Sequence, residues 1–162
     1  MSPRQLVKAC SEGIFYWHHP MKHIRWWSPD PRIVGDPDLL AEAGEGGAGF
    51  DFAVDQDPEG LLRFFQDVYN QKEQMGPQWL SERMFRIFME LHGQGLGMAL
   101  EARQDGQRVG GFFGICLGEI CHGEYTAATV DGADSAAISE AARVLSGRGV
   151  RLMDMHKPTA RD

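Results

Sequence analysis

The chain has 162 residues, 43% apolar and 24% charged, which suits one globular domain or one with a small appendage and excludes collagen-like and disordered classes. At this length roughly two thirds of the unfolded surface can be buried without disulfides or metal. No apolar run approaches the ~18 residues that span a bilayer, and no charged-apolar-small leader opens the chain, so a soluble, cytoplasmic protein is expected. The net charge of -7 is uneven: residues 33–60 hold eight carboxylates and no cation, while residues 1–32 hold five cations and two anions.

Ser2-Pro3 followed by Leu6, Val7 and Cys10 predicts a short capped helix, ended by Gly13. Residues 14–32, dense in aromatics and prolines, read as a rigid irregular segment, and residues 41–49 have the composition of a flexible linker. Phe50, Phe52 and Val54 alternate with acidic and small residues as a half-buried strand. Asp57-Pro58 opens a helix with Leu61, Leu62, Phe65, Val68 and Tyr69 on its apolar stripe. Ser81 caps a second helix, with Met84, Phe85, Phe88 and Leu91 on its stripe. A strand over 97–103, the Asp105-Gly106 hairpin signal and strands near 108–116 and 119–126 follow. A helix over about 135–146 and a strand over 150–155 close the chain. This order gives an α+β protein with a mixed, mostly antiparallel sheet flanked by helices, and it resembles the GNAT acyltransferase fold.

Several residue groups invite a chemical reading. His18, His19 and His23 near Met21 lack the spacing of a ligand set, so they read as surface or packing histidines and no metal site is expected. Cys10, Cys116 and Cys121 are too few for a disulfide framework. Gly110, Gly111 and Gly114 lie inside strands, where glycine admits the close approach of another backbone or ligand. Asp131 and Asp134 flank the turn where an acyl-CoA pyrophosphate would sit, and they would repel it, so no cofactor is expected. Trp17, Trp26, Trp27 and Trp79 lie outside the apolar stripes. They are either ordinary core aromatics or platforms for nucleobases. Asp154 and His156, two apart on the last strand, share a face, so the Asp can orient the His as a general base. Glu124 can face the same cleft.

Gly13-Ile14-Phe15-Tyr16-Trp17, then Trp26-Trp27-Ser28-Pro29-Asp30-Pro31-Arg32, closely resemble the GIFPW and WWSPDPR segments of leucyl/phenylalanyl-tRNA–protein transferases. Trp79-Leu80, Leu91-His92 with Gly95, Val109-Gly110-Gly111, Gly123-Glu124 and Gly149 to Asp154 extend the likeness in order over nearly the whole chain. The resemblance implies transfer of Leu or Phe from aminoacyl-tRNA to the N-terminal amine of a protein beginning with Arg or Lys, marking it for degradation. It implies a GNAT-like domain, here 47–162, behind a small N-terminal subdomain, here 1–46. It also implies that Trp17 and Trp79 sandwich the terminal adenine, that Glu124 helps bind substrate, and that Asp154 polarises the residue assisting proton removal. That residue is Gln in the family and His156 here; imidazole is a good proton acceptor near neutral pH. Phe112, Phe113, Met153 and Met155 are the candidate lining of an aminoacyl pocket.

The chain departs from the family pattern elsewhere. The basic helix that follows WWSPDPR in the family is replaced by the acidic, glycine-rich 41–49 stretch. The tRNA 3′ end is therefore expected to be held weakly, or with a partner's help. Two alternatives stay open: a related transferase with a smaller acyl or aminoacyl donor, and an adenosine-binding relative without turnover.

Overall fold

A computed structural model describes residues 1–18, 24–44, 49–71 and 80–156, with the backbone alone at Trp17, His18 and Ile24. Helix α1, Pro3–Ser11, begins as its sequence predicts. Ser2 Oγ accepts from the Gln5 amide at 3.3 Å, and Gln5 Oε1 accepts from the Ser2 amide at 2.8 Å. The segment expected to be irregular instead forms an antiparallel hairpin, β1 (Phe15–His18) with β2 (Ile24–Trp27), pairing Phe15 with Trp27. Aromatic and β-branched residues favour strands, and the prolines that argued against one fall outside the paired residues.

Two further elements carry too weak a signal to read from sequence. Strand β3, Val34–Gly35, is too short to show alternation. Helix α2, Pro37–Ala43, starts behind an Asp36 cap, with Oδ1 accepting from the Asp38 amide at 2.9 Å, and runs into the stretch expected to be a linker. Residues 45–48 of that stretch lie outside the described residues.

The remaining elements follow the predicted order. They are β4 (Asp51–Val54), α3 (Pro58–Gln71), α4 (Glu82–Gly93), β5 (Gly97–Gln104), β6 (Gln107–Leu117), β7 (Ile120–Ala128), α5 (Ala133–Gly147) and β8 (Leu152–Asp154). Asp105 and Gly106 both take positive φ, +51° and +76°, as a primed turn between β5 and β6 requires. Six strands form one mixed sheet in the order β3-β8-β7-β6-β5-β4, parallel only between β7 and β8. No helix among the described residues is long and apolar enough to cross a membrane.

The sheet separates two cores. On one face α1, α3 and α4 bury Leu6, Cys10, Leu61, Phe65, Phe88 and Phe113. On the other, α5 lays Ala133, Ala137, Ala141 and Leu145 against Leu100, Phe112, Cys121 and Met153, with Leu40 and Ala41 of α2 packed alongside. A fully buried Leu or Phe contributes roughly 1.5–3 kcal/mol, so both faces hold the sheet firmly. Adjacent positions of β6 thus send Phe112 and Phe113 to opposite cores. Gly110 lets α5 close down: a Cβ there would lie 2.8 Å from the Ala133 Cβ. The first 43 residues share these cores with the rest of the chain, through α1 on one face and α2 on the other, and β3 pairs with β8 at the sheet edge.

Candidate active site

The parallel β7–β8 pair sets the site. His122 and Asp154 are register partners, so their side chains leave the sheet side by side. On β7 the pairing skips one residue: Phe113 opposes Tyr125 and Gly114 opposes Gly123, so Glu124 is bulged. Without that extra residue, alternation would put His122 and Tyr125 on opposite faces. With it, Glu124 and Tyr125 both lie on the α1 side with His122. Strand β8 ends at Asp154, so His156, expected to share the strand and its face, lies beyond it, where the chain turns sharply. The His156 amide donates to Asp154 Oδ1 at 2.9 Å, an Asx turn that holds His156 at φ +66°.

These turns gather four titratable side chains in a buried cluster. His156 Nδ1 stands 3.7 Å from Asp154 Oδ1, and Nε2 stands 3.6 Å from Glu124 Oε1. His122 Nδ1 lies 3.3 Å from Asp154 Oδ2. The N-terminal segment closes the cluster. Phe15 stacks on the His156 ring at 4.5 Å and 13°. Arg32 donates to Asp154 Oδ2 and to the Gly13 carbonyl, tying β8 to the end of α1. Behind it the Tyr16 and Tyr125 hydroxyls meet at 2.9 Å.

Burial by itself would raise the Asp154 carboxyl. The His122 contact, the His156 amide, and the charges of His156 and Arg32 outweigh that and hold it down at about 2, so it is an anion at neutral pH. Close by, burial first and then the Glu124 and Asp154 charges push the Cys10 thiol far up, so it packs as an apolar group.

The structure brings Asp154, His156 and Glu124 together. Of Trp17 only the backbone is described, on β1 opposite Arg25, and Trp79 lies outside the described residues. The four apolar residues read as a pocket lining are divided between the two cores. Phe113 is fully buried against Phe88 on the α4 face. Phe112 and Met153 are fully buried under α5, and Met155 packs beside them. Trp26 and Trp27 are about half exposed on β2. His18, His19 and His23 fall outside the described side chains.

Sequence reading missed two members of the cluster. Arg32 was legible only as part of a motif. His122 sits two residues before Glu124, so the two share a face of β7, but what sets it beside Asp154 is the β7–β8 register, which the sequence does not show. Cys116 and Cys121, also register partners, are free thiols with their sulfurs 2.9 Å apart.

A mixed sheet whose one parallel step follows a meander and a crossover helix is the architecture of the GNAT acyltransferases. Two solved structures share it. One is a GCN5-related N-acetyltransferase from Kribbella flavida, with TM-score 0.52 and 17% identity over 94% of this chain and 53% of that one. The other is the C-terminal domain of a putative lysylphosphatidylglycerol synthetase from Agrobacterium fabrum, with TM-score 0.54 and 14% identity over 99% of this chain and 54% of that one. At these identities the likeness concerns fold alone. The sequence is more specific. The leucyl/phenylalanyl-tRNA protein transferase family profile matches residues 46–161. Relatives named leucyl/phenylalanyl-tRNA–protein transferase from Pseudomonas putida and Nitrosospira multiformis are each 30% identical. They align over 98% and 99% of this chain, and 71% and 70% of their own lengths. The chain belongs to the leucyl/phenylalanyl-tRNA–protein transferase family.

Proposed function

We propose that the chain transfers Leu or Phe from the 3′ end of aminoacyl-tRNA to the N-terminal amine of a protein beginning with Arg or Lys. The observation that carries this reading is the His156 imidazole set between the Asp154 and Glu124 carboxylates in a chain of this family. The acceptor amine attacks the ester carbonyl and the new C–N bond forms. His156 takes the amine proton and returns it to the ribose oxygen as the C–O bond breaks. The Asp154 anion holds the imidazolium in place and favours its formation. Glu124 offers a second negative charge for the acceptor amine or the basic side chain beside it. Trp17 and Trp79 stack on the terminal adenine, which needs no basic surface. The cytoplasm, where aminoacyl-tRNA is made, is the compartment this chemistry calls for.

The test is transfer of labelled Leu or Phe from charged tRNA to a peptide starting with Arg. His156→Ala is expected to lose about 10²–10⁴-fold of the rate, as for a lost acid–base group. His156→Gln, which restores the family residue, is expected to keep measurable transfer. No transfer by folded wild-type protein above the His156→Ala background would end this reading.

A further inference from the structure

We infer that His122, Asp154 and His156 form a binding site for a divalent transition-metal ion of the zinc class. Each offers one ligand atom, the three atoms lie within 4.8 Å of one another, and all three residues are buried. Within the described residues, both ring nitrogens of His156 and Glu124 Oε1 are buried without a hydrogen bond, and His122 Nδ1 has only its long 3.3 Å contact with Asp154 Oδ2, although native interiors pair nearly all such atoms.

The separations explain what these atoms are placed for. At 3.3 Å (His122 Nδ1 to Asp154 Oδ2) and 3.7 Å (His156 Nδ1 to Asp154 Oδ1) they exceed the usual N–H···O range. Two ligands of a tetrahedral ion with bonds of about 2.0–2.1 Å stand about 3.3 Å apart. A small inward movement of the His156 ring thus closes two imidazoles and a carboxylate around one ion, with Glu124 on the far, Nε2 side of the His156 ring. Two imidazoles and one carboxylate suit zinc or cobalt, and not calcium or magnesium, which take oxygen ligands. Arg32, donating to Asp154 Oδ2, orients the carboxylate as outer partners of metal ligands do. Its positive charge also weakens the site, so binding in the micromolar range is expected rather than the tight hold of a structural zinc.

An ion there occupies the lone pair that His156 would offer an attacking amine. Metal binding stands apart from the transferase reading, whereas inhibition of transfer by zinc rests on it. The two are measured separately.

The test is titration of the purified full chain with Co²⁺. One equivalent is expected, with the visible absorption of a four- or five-coordinate ion, displaced by Zn²⁺. His122→Gln and His156→Gln should each weaken binding by about tenfold or more, while the triple change His18→Ala, His19→Ala, His23→Ala leaves it intact. X-ray absorption on the wild-type zinc form, which needs no variant to fold, should show two imidazole nitrogens. Four outcomes overturn the site: no binding, binding that survives both Gln variants, fewer than two imidazoles on the ion, or loss of binding in the triple variant. In the transfer assay, zinc should inhibit wild type and spare His156→Gln. Inhibition of both alike, with metal bound at the trio, would overturn the proton-acceptor role and leave the metal site standing.

Discussion

Asp154 stays charged in surroundings that disfavour charge. Burial works against the anion, yet the contacts from His122, the His156 amide, the His156 ring and Arg32 hold its carboxyl at about 2. A carboxylate depressed in this way adds stability that is complete above its unfolded value near 4 and is lost as pH falls through about 2. Two units correspond to about 2–3 kcal/mol. Asp154→Asn is therefore expected to unfold earlier than wild type in urea at neutral pH, and the gap should narrow as pH falls from about 4 to about 2. A gap independent of pH would mean that shape, and not charge, is what the residue supplies. The nearness of Asp154 and His156 was legible from their spacing, but not its cause: the strand ends at Asp154, so strand alternation does not put His156 on its face. The left-handed turn at His156 and the stacking of Phe15 on its ring were not legible, since one depends on an Asx turn past the strand end and the other on a hairpin 141 positions away in sequence.

Among the elements, the helices declared themselves and the edges did not. Ser2, Ser81 and the apolar stripes of α3 and α4 gave those helices their limits, and Asp105-Gly106 set the pairs Gln104–Gln107 and Arg103–Arg108, beyond which a bulge shifts the β5–β6 register. Strand β3 is defined by its partner β8 and not by its own two residues, while a bulge such as Glu124 is visible only once both strands are aligned. The glycines inside β6 were legible as places of close approach, and the structure says what approaches: Ala133 of α5 at Gly110, Leu61 of α3 at Gly111. At Gly110 the contact includes the Ala133 carbonyl carbon at 3.0 Å, so a methyl group must push the helix backbone and not merely a side chain. Gly110→Ala is expected to cost about 1–3 kcal/mol, read as a lower urea midpoint with unchanged slope. Because α5 covers the face opposite His156, the Co²⁺ affinity of the folded variant should stay close to wild type.

Across the whole molecule, acidity is partly structural and partly presented to solvent. Asp55 accepts from the Ala99 amide at 2.8 Å and from Arg148 at 3.1 Å, and Asp57 accepts from Arg108 at 2.7 Å, so these two carboxylates are spent on the fold. Asp38, Glu42, Asp51 and Glu59 are exposed. A protein that grips six to ten phosphates loses about 10³–10⁵ in affinity between low and moderate salt. If this surface grips none, the donor is held through the aminoacyl-adenosine end, where stacking supplies about 1–3 kcal/mol per base and salt matters little. The expected outcome is a kcat/KM for an aminoacylated short acceptor stem within about tenfold of that for intact tRNA, and a nearly flat dependence of both on salt. A steep fall with salt for intact tRNA alone would show that phosphate contacts beyond the acceptor end do contribute, and the acidic stretch would then have to lie away from the tRNA path.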